Sequence, residues 1–176
     1  MRNSCNASRW IGCACVVVLL LSFGSLAPAQ TNHETKEGDR APDFSIRADS
    51  GKHIAPTAFG GKLLVVNFWE TACVPCVQDL PSLTSFARKF KSRGVVVVAI
   101  SGDEDAQKYR RFLADHHVVL NTYRDSSRKI GQSFGTYEFP ETYVIQDGVV
   151  VRKVVGGIDW MGDETGSFVR GRLANR

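Results

Sequence analysis

Apolar and polar positions along the chain fall into blocks of different period. Lys62 to Glu70 (KLLVVNFWE) is an apolar, β-branched run with no charge between Leu63 and Trp69. Such a run marks a strand buried on both faces. From Cys76 the pattern changes: Val77, Leu80, Leu83, Phe86, Ala87 and Phe90 recur at helical spacing, and Arg88, Lys89 and Lys91 gather near the end. Basic residues there suit the negative end of a helix, and Gly94 just beyond suits its stop. Pro81, inside this pattern, predicts a kink. GVVVVAIS (Gly94 to Ser101) reads as a second buried strand. Glu104 to Asp115 reads as a surface helix, with Ala106, Tyr109, Phe112 and Leu113 apolar among charges.

A shorter helix is predicted over Ser127 to Phe134. ETYVIQDGVVVRKVV (Glu141 to Val155) carries two β-branched runs around Asp147-Gly148, a tight-hairpin signal. A last helix is expected from Asp159 to Leu173, weakened by Gly162, Gly166 and Gly171, and DFSIRADSGKHI (Asp43 to Ile54) suggests an early hairpin. Hairpin, strand, helix, strand, helix, short helix, hairpin, helix is an α/β order. It implies a central mixed sheet flanked by helices.

The start of the chain has a different character. Arg2 and Arg9 are its only charges before His33, and WIGCACVVVLLLSFGSLAPA follows, closing on Ala27-Pro28-Ala29. A basic start, an apolar stretch and a small-x-small ending compose a secretory signal over residues 1–29. The competing readings are a buried helix and an uncleaved anchor, since Trp10 to Ala27 nears the ~17 to 20 apolar residues of a span. No Cys follows the stretch, which argues against a lipid-anchored start. Residues 30–40 are polar, and 41–176 form the expected single domain in an exported, periplasmic or extracytoplasmic setting. Of 22 Lys and Arg, 20 follow residue 29, against 18 Asp and Glu. So small and interspersed a balance gives no reason to expect nucleic acid as a partner.

Export makes the cysteines informative. Cys5, Cys13 and Cys15 lie in or before the apolar start, and only Cys73 and Cys76 belong to the domain. A disulfide-stapled scaffold would spread more cysteines along the chain. One pair three residues apart closes too short a loop to stabilise much. Cys73-Val74-Pro75-Cys76 falls where the first buried strand passes into a helix, so Cys73 would face N–H groups and partial positive charge that favour a thiolate. Pro75 is acceptable at an early helical position. Inert core thiols and a zinc site compete, but His33, His53, His116 and His117 show no paired ligand spacing. The pair reads as redox-active and no metal is expected. Pro140, in GTYEFPETYVI, introduces a strand, and its peptide bond is a candidate for the cis form.

Together these segments resemble the thioredoxin fold, and more specifically the exported TlpA-like (ResA/CcmG-type) thiol–disulfide oxidoreductases, some of which serve cytochrome c maturation. The resemblance rests on GDRAPDFSI (38–46), VVNFWETACVPC (65–76) and GTYEFPETYVIQDGVV (135–150). It implies a thioredoxin-like fold with an N-terminal β-hairpin extension. It also implies Cys73 as nucleophile, Cys76 as resolving cysteine and Pro140 as cis-proline, with Glu70 or Asp79 assisting proton transfer. Trp69, Ala72, Val74, Pro75 and Phe139 would meet the partner. The chain departs from the pattern twice: Ala72 stands where the family usually has Trp, and Asp79 where several relatives carry Glu.

The redox disulfide would be the only cofactor. Partners would be protein disulfides or dithiols, an apocytochrome c among them, and a membrane thiol–disulfide electron donor would serve a monomer. Two other readings are carried. A thiol peroxidase of peroxiredoxin type begins with a similar Ala-Pro-Asp-Phe stretch, but its Pro-x-x-x-Thr-x-x-Cys site is missing, with Val66 and Glu70 in the Pro and Thr places. A copper-binding chaperone of thioredoxin fold would use both thiolates and a His, though such proteins generally space their cysteines one residue wider.

Overall fold

A computed structural model describes residues 34–56 and 63–174; the signal and anchor readings lie outside them. Among the described residues, no helix is long and apolar enough to cross a membrane. The elements are β1 (Ile46–Arg47), β2 (His53–Ile54), β3 (Leu63–Trp69), α1 (Val74–Phe90), β4 (Val95–Ser101), α2 (Ala106–Asp115), β5 (Asn121–Arg124), α3 (Lys129–Phe134), β6 (Glu141–Gln146), β7 (Val149–Val155) and α4 (Asp163–Ala174). Five strands form the main sheet in the order β5-β4-β3-β6-β7, and β1 and β2 pair separately as an antiparallel hairpin. β3 runs parallel to β4 and antiparallel to β6, so the sheet is mixed as expected.

Every residue of β3 is buried, and the side-chain period of two divides them between two cores. Leu63, Val65 and Trp69 point to one face, where α1, α2 and α4 supply Leu80, Leu83, Phe86, Phe90, Tyr109 and Val169. Leu64, Val66 and Phe68 point to the other, covered by Phe44, Ile46 and Ile54 of the hairpin region and Phe134 of α3. Asn67 is the polar exception in this strand; its Nδ2 donates to Thr142 Oγ1 at 2.9 Å, which meets the hydrogen-bond demand of a buried amide.

Several expectations are refined. α1 buries Cys76, Leu80, Leu83, Phe86 and Phe90 and runs as one helix with Pro81 inside it. Pro81 is exposed, and the Ser82 hydroxyl donates to the Asp79 carbonyl at 3.0 Å beside it. α2 begins at Ala106, capped by Asp105 Oδ1 accepting from the Gln107 and Lys108 N–H groups. α3 begins at Lys129 rather than Ser127, and α4 at Asp163 rather than Asp159. The sequence pattern misses β5 altogether. NTYR is short, half polar and at the sheet edge, where one side needs no apolar residues.

Leu83 is fully buried between α1 and the sheet, while Ser92 is exposed. Leu83→Ala is expected to lower unfolding stability by roughly 2–5 kcal/mol through lost contact and a residual cavity. Ser92→Ala should stay within about 0.5 kcal/mol. Urea unfolding midpoints of the two variants check this.

Candidate active site

The end of β3 and the start of α1 are joined by Glu70, Thr71, Ala72 and Cys73. The Cys73 N–H donates to the Glu70 carbonyl at 3.1 Å, which closes the turn. Cys73 is the N-cap of α1, and its sulfur accepts from the Cys76 N–H at 3.2 Å. Val74 and Pro75 occupy the first helical positions, where a missing N–H costs nothing. Cys73 and Cys76 form a disulfide with Cα atoms 5.2 Å apart. Cys73 is half-buried and Cys76 almost fully buried, so an approaching group reaches Cys73 first. In the reduced state a thiolate at Cys73 would meet an N–H donor and the positive end of α1, both of which favour the charged form.

The Phe139–Pro140 bond is cis. Because Phe68 pairs with Glu141 across β3 and β6, Pro140 lies level with Trp69 at the edge where the disulfide sits. Phe139 packs against the same core cluster as Cys73. Ala72, Val74 and Pro75 are exposed around the pair. Tyr137, also exposed, stands in the loop before Pro140, where no pattern in the sequence singles it out.

Trp69 requires a correction. Expected at the partner surface, it is 0% exposed and packs on Phe112 and Tyr109 with ring centroids 5.4 and 6.3 Å away. The period of two sends it inward, so it supports the site from below and a partner cannot touch it.

The two candidate carboxylates have different surroundings. Burial pushes the Asp79 carboxyl above its usual range, opposed by the Ile158 N–H, which donates to Oδ2 at 3.2 Å, and by the nearby Trp160 indole. Trp160 Nε1 itself reaches no acceptor in hydrogen-bond geometry among the described residues, so its pull on Asp79 is that of a neighbouring dipole. Gly157 makes this approach feasible, because a Cβ there would stand 2.9 Å from Asp79 Oδ1. The Ser82 hydroxyl oxygen accepts from the Trp160 backbone N–H at 3.3 Å, tying the 157–160 segment to α1. Pro75, Gln78, Asp79, Ser82 and this segment line an open cleft of about 500 Å³ beside the disulfide.

Burial also pushes the Glu70 carboxyl up, while Arg128 opposes the shift from 2.6 Å away. The contact is a charge pair whose angle is not that of an aligned hydrogen bond. Thr71 is held separately, its N–H and hydroxyl donating to Asp103 Oδ2 and Oδ1 at 3.0 and 2.7 Å. Arg128, Asp103 and Gly157 belong to the site's support and had no local signal, since each arrives from a distant segment. Glu141, beside Pro140, is buried and pairs with Lys153 at 2.5 Å, which also meets Glu34. Among the described residues no group of three or more His, Cys, Asp or Glu is placed to hold a metal ion.

Asp79 generates a pH test. With its folded-state value raised, the folded protein holds this proton more tightly than the unfolded chain, so its contribution to stability declines as pH rises from the ordinary carboxylate range to the raised value. Asp79→Asn removes the titration. The wild-type Tm minus that of Asp79→Asn should fall as pH is raised from about 4 to about 7. A difference that rises with pH would contradict a shift dominated by burial.

Comparison with known proteins agrees with this geometry. Residues 37–154 match the model of the AhpC/TSA family. Thiol-disulfide oxidoreductase ResA of Bacillus subtilis is 31% identical over 68% of this chain and 68% of its own. ResA of Bacillus thuringiensis subsp. konkukian is 28% identical over 80% of this chain and 86% of its own. Among solved structures, a protein of Chlorobium tepidum described as a thiol:disulfide interchange protein DsbE superposes with a TM-score of 0.72 at 24% identity, covering 80% of this chain and 99% of its own. StoA of Bacillus subtilis superposes with a TM-score of 0.63 at 17% identity, covering 74% of this chain and 96% of its own. These two likenesses establish the thioredoxin-like fold. With a family model matching more than half its length and a ResA relative above 30% identity, the chain belongs to the AhpC/TSA family and, within it, with the ResA thiol-disulfide oxidoreductases.

Proposed function

We propose that the protein is an exported thiol–disulfide oxidoreductase that reduces disulfides in protein partners through Cys73 and Cys76. The observation that carries the reading is the disulfide at the N-terminus of α1, with the accessible sulfur capping the helix and the shielded one a turn inside. In the reduced protein, thiolate Cys73 attacks one sulfur of a partner disulfide. A Cys73–partner disulfide forms, the partner's own bond breaks, and its second sulfur leaves as a thiolate that takes up a proton. Cys76 then loses its proton and attacks Cys73 Sγ. The Cys73–Cys76 bond forms, the mixed disulfide breaks, and the partner departs carrying two electrons.

Asp79 is the group we assign to the Cys76 proton. A carboxyl raised by burial lies nearer the working pH than an exposed one, which suits proton exchange with a buried thiol. Glu70 serves the site differently, since Arg128 occupies its carboxylate. The Phe139–Pro140 backbone, with Ala72, Val74 and Pro75, would receive the partner segment.

The reducing direction and a role in cytochrome c maturation, with an apocytochrome disulfide as client, follow the resemblance to the ResA/CcmG-type proteins; the names of the relatives, thiol-disulfide oxidoreductases, support disulfide exchange itself. A reductase in an oxidising compartment needs electrons resupplied, so a membrane thiol–disulfide donor completes the cycle. The apolar, Arg-flanked start of the chain supports export.

Cys76→Ser leaves the first step intact and removes the second. It is expected to trap the partner as a covalent complex released by thiol reductant, and Cys73→Ser is expected to trap nothing. A Cys76→Ser chain that accumulates no mixed disulfide in its own host would sink the reading. The potential of the pair sets the direction: a value near −270 mV, as in thioredoxin, fits a reductase, and one near −120 mV a disulfide donor.

A further inference from the structure

The Glu70 carboxylate stands at the head of the turn that carries Cys73, and a carboxylate in that place opposes a thiolate. Arg128, 58 positions later in the chain, counters it. Its Nη2 lies 2.6 Å from Glu70 Oε1, and its Nε donates to the Gly102 carbonyl at 3.3 Å. The Gly102 N–H in turn donates to the Trp69 carbonyl at 3.0 Å, so one guanidinium ties the end of β3, the exit of β4 and the start of α3.

Two further features show that the fold accommodates this contact at a cost. Arg128 sits at φ 55°, a left-handed conformation that residues other than Gly rarely adopt and that clusters at functional sites. Gly102 admits the pair only because it lacks a side chain. A Cβ there would stand 2.7 Å from Glu70 Oε1 and 3.3 Å from Arg128 Nε. The pair is partly buried, with the Glu70 side chain 19% and the Arg128 side chain 48% exposed, so it is neither a free surface pair nor a fully desolvated one.

We propose that Arg128 is a positioning residue for the exchange reaction, acting through Glu70 to keep an unopposed carboxylate away from the Cys73 thiolate. The proposal rests on Cys73 being the attacking sulfur. Other charges act on the Glu70 carboxylate: Asp103 and Glu104 after β4 add negative charge, and Lys108 of α2 adds positive. Arg128 is the cation in direct contact with it. Without Arg128, the smaller effect of Lys108 is left to offset that negative field beside Cys73. Without Glu70, the guanidinium remains as a net positive charge anchored on Gly102. The two losses therefore move the thiol in opposite directions.

The test is the pH dependence of alkylation of the reduced, full-length chain by iodoacetamide. Arg128→Gln should raise the Cys73 midpoint by about half a pH unit or more, and Glu70→Gln should lower it by a similar amount. The double variant should return near wild type, and Arg128→Lys, which keeps the charge, should move the midpoint less than Arg128→Gln. The reduction potential should follow, more negative for Arg128→Gln and less negative for Glu70→Gln. A purely structural ion pair would lower Tm in both single variants and leave both midpoints in place. That outcome, or shifts of the same sign, overturns the proposal. Should Arg128→Gln fail to fold, Glu70→Gln alone decides it: an unmoved or raised midpoint overturns the assignment and a lowered one supports it. A wild-type Cys73 with the midpoint of an ordinary thiol would instead remove the nucleophile on which the proposal rests.

Discussion

The architecture of the site depends on one juxtaposition: the N-terminus of α1 is fixed against the end of a strand buried on both faces. β3 has no freedom to shift, because one residue of slip would exchange its two sets of core side chains between faces. Its neighbours β4 and β6 run in opposite directions, so the loop after β4 and the loop before β6 meet at the same edge. The turn carrying Cys73, the 101–105 segment and the 135–140 segment are thereby gathered without any long-range pairing of their own. A sulfur placed at that edge faces helix N–H groups on one side and two loops on the other. Its electrostatic setting follows from the topology.

The site also contains a division between two acids. Glu70 and Asp79 are both shifted upward by burial, yet the fold answers each differently. Glu70 meets a guanidinium, which favours the ionised form and holds it in one place. Asp79 meets a backbone N–H and the Trp160 dipole, which moderate the effect of burial without supplying an opposing charge. On the proposed reading, Asp79 has no cation in contact among the described residues and is left to exchange a proton, whereas Glu70 is engaged by Arg128. This contrast is a physical basis for giving the proton-transfer role to the shorter side chain, although Asp reaches one methylene less far than Glu.

What could be read from the sequence follows from how local each signal is. β3, β4, α1 and the β6-β7 hairpin announce themselves because their side chains repeat at the period of the element and bury most of it. The Cys-x-x-Cys pair lies within one turn, and its position between strand and helix is legible for the same reason. β5 was not, because an edge strand of four half-polar residues carries little periodic signal. The early starts assigned to α3 and α4 share a cause: the residues before each helix make specific turns, with Asp125 Oδ2 accepting from the Ile130 N–H and Asp159 Oδ1 from the Met161 N–H. Arg128, Asp103 and Gly157 reach the site only through tertiary structure, so no spacing in the chain could point to them. Trp69 adjoins the active turn in sequence, which suggests a place at the surface, but strand alternation sends it into the core.

That inversion changes what a partner would encounter. With Trp69 buried and Ala72 in the position usually held by Trp, the side chains next to Cys73 are small or conformationally fixed: Ala72, Val74 and Pro75. Such a surface presents the sulfur with little steric obstruction and few groups able to grip a ligand. The larger side chains near the same edge are Tyr137, 66% exposed, and half-buried Phe139, both in the segment leading to Pro140. Aromatic rings supply much contact area for little loss of rotamer freedom, the property that concentrates binding energy at interfaces. On the proposed reading, the Cys73 turn governs reactivity and the 137–140 segment governs recognition. The Glu70–Arg128 pair stands between them, with Glu70 opening the first and Arg128 at the N-cap position of the helix that leads into the second.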